Sequence, residues 1–502
     1  MKKILLIALV FIIASNTVKA QPSFIRDSLD IYVNRILKDW NLPGMAVCVV
    51  KDGKVQVMKG YGVRDVNSKL PVNEETLFMI ASNSKAFTGT SLAWLDYEKR
   101  LSLDDKIIKY MPWFRLYDDY TTNEVTIRDM LCHRLGFETF QSDFLNWGGT
   151  LSRKEIIEKM RTYKPVYPFR YKYGYCNSAY LTAGEIIPLV TDTSWDDFLK
   201  YRYFVPLNMK RTSTTLNGIA NDSNAAKPYS IFKNEIVALD YPNLYNLGPA
   251  ASINSCIKDM SNWVLTLLDS GRYNGKQIIP FSVINQTRSP QMLETRATNN
   301  STHFSAYGLG FELSDYAGRK VVSHTGGADG FVTSVCLVPE ENLGIIVLTN
   351  TDANWMYDGL RRQILDQYVG VPFKDYSATM IKRYNANEIE ANNELKKFDE
   401  RIAASKKVVY DLKSLAGKYS NDVYGAMEIK IEKGKAKMTF EHHPNLVGNL
   451  EYLDGNNFVC NYSSAMYGVK EIPFKVDAGK VISCTVTVND FIDFMPYEFV
   501  KN

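Results

Sequence analysis

A chain of 502 residues with 45% hydrophobic content is long enough for two or three domains, each with its own core. Its 59 Lys and Arg face 55 Asp and Glu, and three of the lysines fall in the first twenty residues, so the remainder is close to neutral. Without a basic stripe it is not expected to bind nucleic acid.

Residues 1–20 carry Lys2 and Lys3, an apolar run from Ile4 to Ala14 and the small-residue end Val18-Lys19-Ala20. This is the layout of a cleavable signal peptide and predicts a periplasmic or secreted protein starting near Gln21. No cysteine sits near that end to take a lipid, and no later apolar run is long enough for a transmembrane anchor. The seven cysteines cannot all pair within one chain. Cys48 and Cys336 lie in apolar strand-like runs and read as buried thiols, whereas Cys460 and Cys484 share the C-terminal region, where pairing stays open.

Met45 to Val50 and Val55 to Gly60 flank Lys51-Asp52-Gly53-Lys54, an Asp-Gly hairpin signal that starts an antiparallel sheet. Helical patterns dominate from about Ser84 to Trp263. Strands return at Val321 to Ser323, Phe331 to Val338 and Gly344 to Thr349. A sheet whose first and last strands bracket a helical insertion predicts a sheet flanked by helices with a helical lobe, and ligands belong in the crevice between them. A polar, helical stretch from about Phe373 to Lys407 reads as a linker. Beyond it, period-two runs such as Met427, Ile429 and Ile431, punctuated by Lys433-Gly434 and Asp454-Gly455, predict a small all-β barrel. His442-His443 lacks further spaced ligands for a metal and reads as a polar pair beside a turn. The predicted division is a signal peptide over 1–20, a main domain over 21–370, a helical linker over 371–411 and a barrel domain over 412–502. Because the barrel carries none of the motifs below, a chain ending near Gly370 is expected to keep the chemistry.

Three stretches carry chemistry. In Phe78 to Gly89, FMIASNSKAFTG, Ser82 and Lys85 stand three apart at the mouth of an amphipathic run from Ala86 to Arg100. If Ser82 opens that helix, the Lys85 amine sits over the Ser82 hydroxyl, a nucleophile beside a base. Taken alone, the pair is weak and reads as an N-cap serine followed by a solvated lysine. Tyr175-Cys176-Asn177 precedes an apolar helix, and a tyrosine and an asparagine two apart on an extended segment project to one side. Tyr175 can then pass protons, and Asn177 can bind a substrate carbonyl and fix Lys85; the plain alternative is a loop tyrosine and a helix-capping asparagine. Val321 to Gly327 runs along a strand through His324 and Thr325 into Gly326 and Gly327, an edge suited to an extended substrate and to an N–H in an oxyanion hole.

Together these stretches resemble the penicillin-recognising serine hydrolases, and within them the class C β-lactamase-like group with its DD-peptidases, D-aminopeptidases and esterases. The likeness spans roughly residues 30–365 and includes VTIRDMLCHRLGF (Val125 to Phe137) and GPAASINSCIKDMSNW (Gly248 to Trp263). The tail resembles the lipocalin-like domain that follows some members. The resemblance implies an α+β fold of the β-lactamase/transpeptidase kind. It makes Ser82 the nucleophile, with Lys85 and Tyr175 sharing the proton work. Asn177, His324, Thr325, Gly326 and Gly327 would line the substrate, and the backbone N–H groups of Ser82 and Gly327 would form the oxyanion hole. His133 reads as a structural residue. No metal or cofactor is expected, the partner is a small-molecule or peptide substrate, and the oligomeric state is open.

The family's lactamases carry Lys-Thr-Gly where this chain has His324-Thr325-Gly326. A histidine is mostly uncharged near neutral pH where a lysine is charged, so β-lactams are expected to be poor substrates. The function implied is hydrolysis of a small amide, peptide or ester through an acyl-enzyme. The alternative is a catalytically quiet module, related to penicillin-binding proteins, that binds an envelope peptide or glycan.

Overall fold

The Asp-Gly signal folds as expected. Asp52 and Gly53 both hold positive φ, +52° and +72°, and form a two-residue turn between strands β1 (Gly44–Lys51) and β2 (Lys54–Gly62), with Lys51 opposite Lys54. These coordinates are a computed structural model that describes residues 21–233, 235–294, 301–405 and 411–502; the expected signal peptide lies outside the described residues.

Six later strands complete the sheet: β3 (Met292–Glu294), β4 (Ser305–Tyr307), β5 (Glu312–Tyr316), β6 (Arg319–Ala328), β7 (Phe331–Val338) and β8 (Leu343–Thr349). The order is β2-β1-β8-β7-β6-β5-β4-β3, with every neighbouring pair antiparallel. The central strands are buried on both faces, and the period-two rule splits them between two cores. Met45, Val47 and Val49 pack with helix α1 (Leu29–Asp39) and with Leu360 and Ile364 of a C-terminal helix. Ala46, Cys48 and Val50 face the lobe that holds α2 (Ser84–Tyr97), α3 (Asn177–Gly184) and α4 (Ile257–Leu268). That C-terminal helix is α5 (Met356–Val369). Among the described residues no helix is long and apolar enough to cross a membrane.

Helix α2 departs from the expected amphipathic run. Every residue from Ser84 to Leu95 is buried, so it is a central helix rather than a surface one. Its hydroxyls do not need water: Thr88 Oγ1 donates to the Pro249 carbonyl, Thr90 Oγ1 to Ala86 and Ser91 Oγ to Phe87.

A long helix, Tyr376–Ser405, leads to a closed barrel of eight antiparallel strands between Gly417 and Lys501. The first and last strands close it by pairing Tyr419 with Lys501. Cys460 and Cys484 do not bridge; all seven cysteines are free, buried thiols.

The barrel does not stand apart. The ring of Phe144, in the short helix Asp143–Asn146, inserts among Tyr424, Phe440, His443, Tyr467 and Tyr497, with centroids 4.7 to 6.0 Å away. The His pair flanks a turn, as expected, and His443 also belongs to this contact. His443 Nε2 lies 2.9 Å from the Trp147 carbonyl, Tyr424 meets its Nδ1, and burial lowers the imidazole to about 4. The backbone carbonyl of His442 accepts the Thr150 N–H at 2.9 Å.

Candidate active site

Ser82 sits in a single 3-10 turn, Ala81–Asn83, immediately before α2 rather than on its first residue. The turn is strained and stapled. Ala81 holds φ at +45°, an unfavourable value for a residue with a Cβ. Ser84 Oγ donates to the Ala81 carbonyl at 2.6 Å and accepts the Ile253 N–H at 3.0 Å. Asn83 Nδ2 reaches across to Thr333 on β7 at 2.9 Å. Strand β6 closes on the same turn so tightly that a Cβ on Gly326 would stand 2.1 Å from the Ile80 carbonyl oxygen. Only glycine permits that approach.

The spacing of three puts Lys85 Nζ 3.2 Å from Ser82 Oγ. Lys85 is fully buried, and its amine also touches Asn177 Oδ1 at 2.6 Å and the Ala250 carbonyl at 3.0 Å. Burial lowers it to about 7, with the Asp143 carboxyl and Cys176 pulling the other way. Asn177 opens α3, and its side chain is oriented by its second contact, Nδ2 to Asp143 Oδ2 at 2.6 Å. Burial holds Asp143 well above the usual carboxylate range, and the neighbouring Asp493 carboxyl adds to the effect.

Tyr175 lies in the loop before α3. The Lys85 amine stands 4.5 Å from its ring centroid. Burial raises the phenol well above its ordinary value, only partly opposed by the Ser82 side chain. The backbone around it is tied down by His133, whose Nδ1 accepts the Cys176 N–H at 3.0 Å and whose ring lies 4.4 Å from that of Tyr175.

On β6, His324 is buried between Tyr307, whose hydroxyl is 2.8 Å from Nε2, and the Thr325 carbonyl, 2.6 Å from Nδ1. Nδ1–H suits the Thr325 carbonyl, and Nε2 can exchange a hydrogen bond with the Tyr307 hydroxyl, which both donates and accepts.

Ser82, Tyr175, Asn177, His324, Thr325 and Gly327 line one cleft of about 470 Å³ between the sheet and the helical lobe. Lys85 lies behind its wall, and Gly326 faces the Ser82 turn instead of the cleft. Several lining residues have no signal in the sequence: Asp143 and Trp147 from the lobe, Glu294 and Glu312 from the sheet edge, and Phe491 and Ile492 from the barrel. The carbonyl of Ala250 falls within the GPAASINS segment, so that part of the site was marked.

The beta-lactamase family model matches residues 29–369. Protein flp of Staphylococcus aureus (strain MRSA252) is 27% identical over 370 residues, covering 72% of this chain and 69% of its own. The unguisins hydrolase ungD of Aspergillus violaceofuscus is 25% identical over 448 residues, covering 81% of this chain and 76% of its own. Among solved structures, the octameric penicillin-binding protein homologue from Pyrococcus abyssi superposes with a TM-score of 0.61 at 20% identity, over 94% of this chain and 99% of that one, a likeness of fold. The matched stretch holds the Ser82 turn, the Tyr175 loop and strand β6, and the chain belongs to the beta-lactamase family of serine acyl hydrolases.

Proposed function

We propose that this protein is a periplasmic or secreted hydrolase that cleaves a small amide, peptide or ester through an acyl-enzyme on Ser82, without a cofactor. In this reading residues 21–370 form the hydrolase domain, 371–411 a linker and 412–502 a lipocalin-like barrel domain.

One observation carries the reading, the set of partners around the Lys85 amine. Two of them, Asn177 Oδ1 and the Ala250 carbonyl, only accept hydrogen bonds. A neutral amine spends both its N–H groups on these two and turns its lone pair to the third, the Ser82 hydroxyl. Lys85 therefore takes the Ser82 proton as Oγ attacks the scissile carbonyl. The N–H groups of Ser82 and Gly327 hold the developing oxyanion. Tyr175 cannot serve as a resting base, because burial keeps it a phenol. It hands its proton to the leaving group and is reprotonated from the Lys85 ammonium; the restored amine then takes a proton from water as that water attacks the acyl carbonyl, and the proton passes to Ser82 Oγ as the acid leaves. Asn177 and Thr325 bind the substrate chain beside the scissile bond.

The base assignment fixes a pH dependence. The active form is the neutral amine, so acylation falls about tenfold per pH unit below the Lys85 midpoint and levels off above it. The acylation rate is expected to rise with pH through a midpoint near 7. A rate that stays level from pH 5 to 9 would contradict Lys85 as the base.

His324 sets the substrate class. Near neutral pH a histidine offers a substrate carboxylate less positive charge than a lysine does, and hydrogen bonds to charged groups are worth about 1.5–3 kcal/mol, roughly ten- to a hundredfold in kcat/KM. Uncharged esters and amides are expected to be preferred over penicillins and cephalosporins. His324→Lys should raise kcat/KM for a cephalosporin relative to an activated ester by that factor. A wild-type protein that already hydrolyses the cephalosporin efficiently would refute this part of the reading.

A further inference from the structure

The segment between the last two barrel strands, residues 487–496, reaches the cleft. It is a built feature and not a loose tail. Asn489 Oδ1 accepts the Phe491 N–H at 3.0 Å, and the Asn489 carbonyl accepts the N–H groups of Ile492 and Asp493 at 2.8 and 3.2 Å. The buried Asp493 carboxyl takes the Phe144 N–H at 3.1 Å and the Tyr497 hydroxyl, and that hydroxyl in turn accepts the Ser142 N–H at 3.0 Å. Phe494 stacks on Phe140 with ring centroids 5.6 Å apart, and Phe140 packs edge-on against Tyr175 at 5.5 Å. The segment is thus keyed to the same lobe loop that supplies Asp143.

At its tip the Phe491 ring lies over Gly327. A Cβ on Gly327 would stand 2.9 Å from the end of that ring, and Gly327 has no positive φ to require glycine on backbone grounds. Phe491 also lines a second cavity of about 490 Å³, walled by Ile231 and Phe232, by Leu395 and Phe398 of the linker helix, and by Met466 of the barrel. The ring is therefore a partition, with the cleft on one side and on the other a chamber of mixed lining, where these apolar side chains stand beside Lys233, Glu388, Lys470 and Asp490.

We propose that Phe491 limits the length of the acyl group that the cleft accepts. This rests on the acyl hydrolase reading above. With the carbonyl oxygen at the Gly327 N–H and the leaving group toward Tyr175, which supplies its proton, the acyl chain runs along β6 toward Phe491 and stops at the ring. The barrel then acts as a substrate selector, a role none of the sequence motifs assigns to it.

The test compares kcat/KM for p-nitrophenyl octanoate and p-nitrophenyl acetate, with Ser82→Ala as the control for each. Each methylene moved from water into apolar space is worth about fourfold. Phe491→Ala, which joins the cleft to the chamber, is expected to raise the octanoate-to-acetate ratio about tenfold or more. Phe491→Leu should raise it less, and Phe491→Trp should lower it. An unchanged ratio in Phe491→Ala and Phe491→Leu, on turnover that Ser82→Ala abolishes, overturns the proposal and leaves the hydrolase reading intact. Ester turnover that survives Ser82→Ala overturns both.

Discussion

Ser82→Ala is expected to lower kcat/KM for an activated ester by about 10⁴-fold or more, and Lys85→Ala to cost about as much. Among the described residues Ser82 Oγ is the only hydroxyl hydrogen-bonded to the amine, whose other two partners are carbonyl oxygens that cannot take its place. The pair acts as one unit, so the double variant should be hardly slower than either single one. Ser82→Ala removes a small polar atom, and its melting temperature should stay close to that of wild type. Lys85→Ala empties a fully buried site and should melt lower, so the kinetic comparison is made well below both transitions. Losses that multiply in the double variant would mean that the two residues do not act together.

A chain ending at Gly370 is expected to lose acylation, contrary to what the sequence suggests. Removing the barrel strips the aromatic sheath from Phe144 and leaves a phenylalanine ring in water next to Asp143. It also removes Phe491 and Ile492 from the cleft and Asp493 from the Phe144 N–H. Asp143 orients Asn177, and Asn177 holds Lys85, so a loosened lobe loop is felt two contacts later at the base. In the full-length protein, Phe144→Ala should cost about 3–5 kcal/mol of stability, seen as a lower melting temperature. A soluble truncated chain that is acylated at the full-length rate would show that the barrel is dispensable to the chemistry.

What could be read from the sequence was local. The Ser82–Lys85 spacing, the Asp52-Gly53 turn and the period-two runs of the barrel depend on neighbours a few residues apart, and all three reappear in the structure. Helix α2 was misread because its Ser and Thr hydroxyls look like a polar face, whereas they bond to backbone carbonyls inside the core. His442-His443 does flank a turn, as read, but nothing in the local pattern shows that Phe144, some three hundred residues earlier, packs against His443. Asp143, Phe491 and Asp493 carry no motif, because Asp143 matters through its contact with the distant Asn177, and Phe491 and Asp493 through the docking of barrel on lobe. The sequence shares the base between Lys85 and Tyr175; burial, which no local pattern reveals, lowers the amine to about 7 and raises the phenol, and this supports the proposal that Lys85 is the base.

The most direct test of the account is the mass of the intact protein after reaction with a fluorophosphonate, followed by mapping of the modified peptide. A single adduct on Ser82, forming faster as the pH is raised through 7 and absent from Ser82→Ala, is the predicted result. A protein that stays unlabelled under conditions that label a related serine hydrolase, or that carries its adduct on another residue, would contradict it.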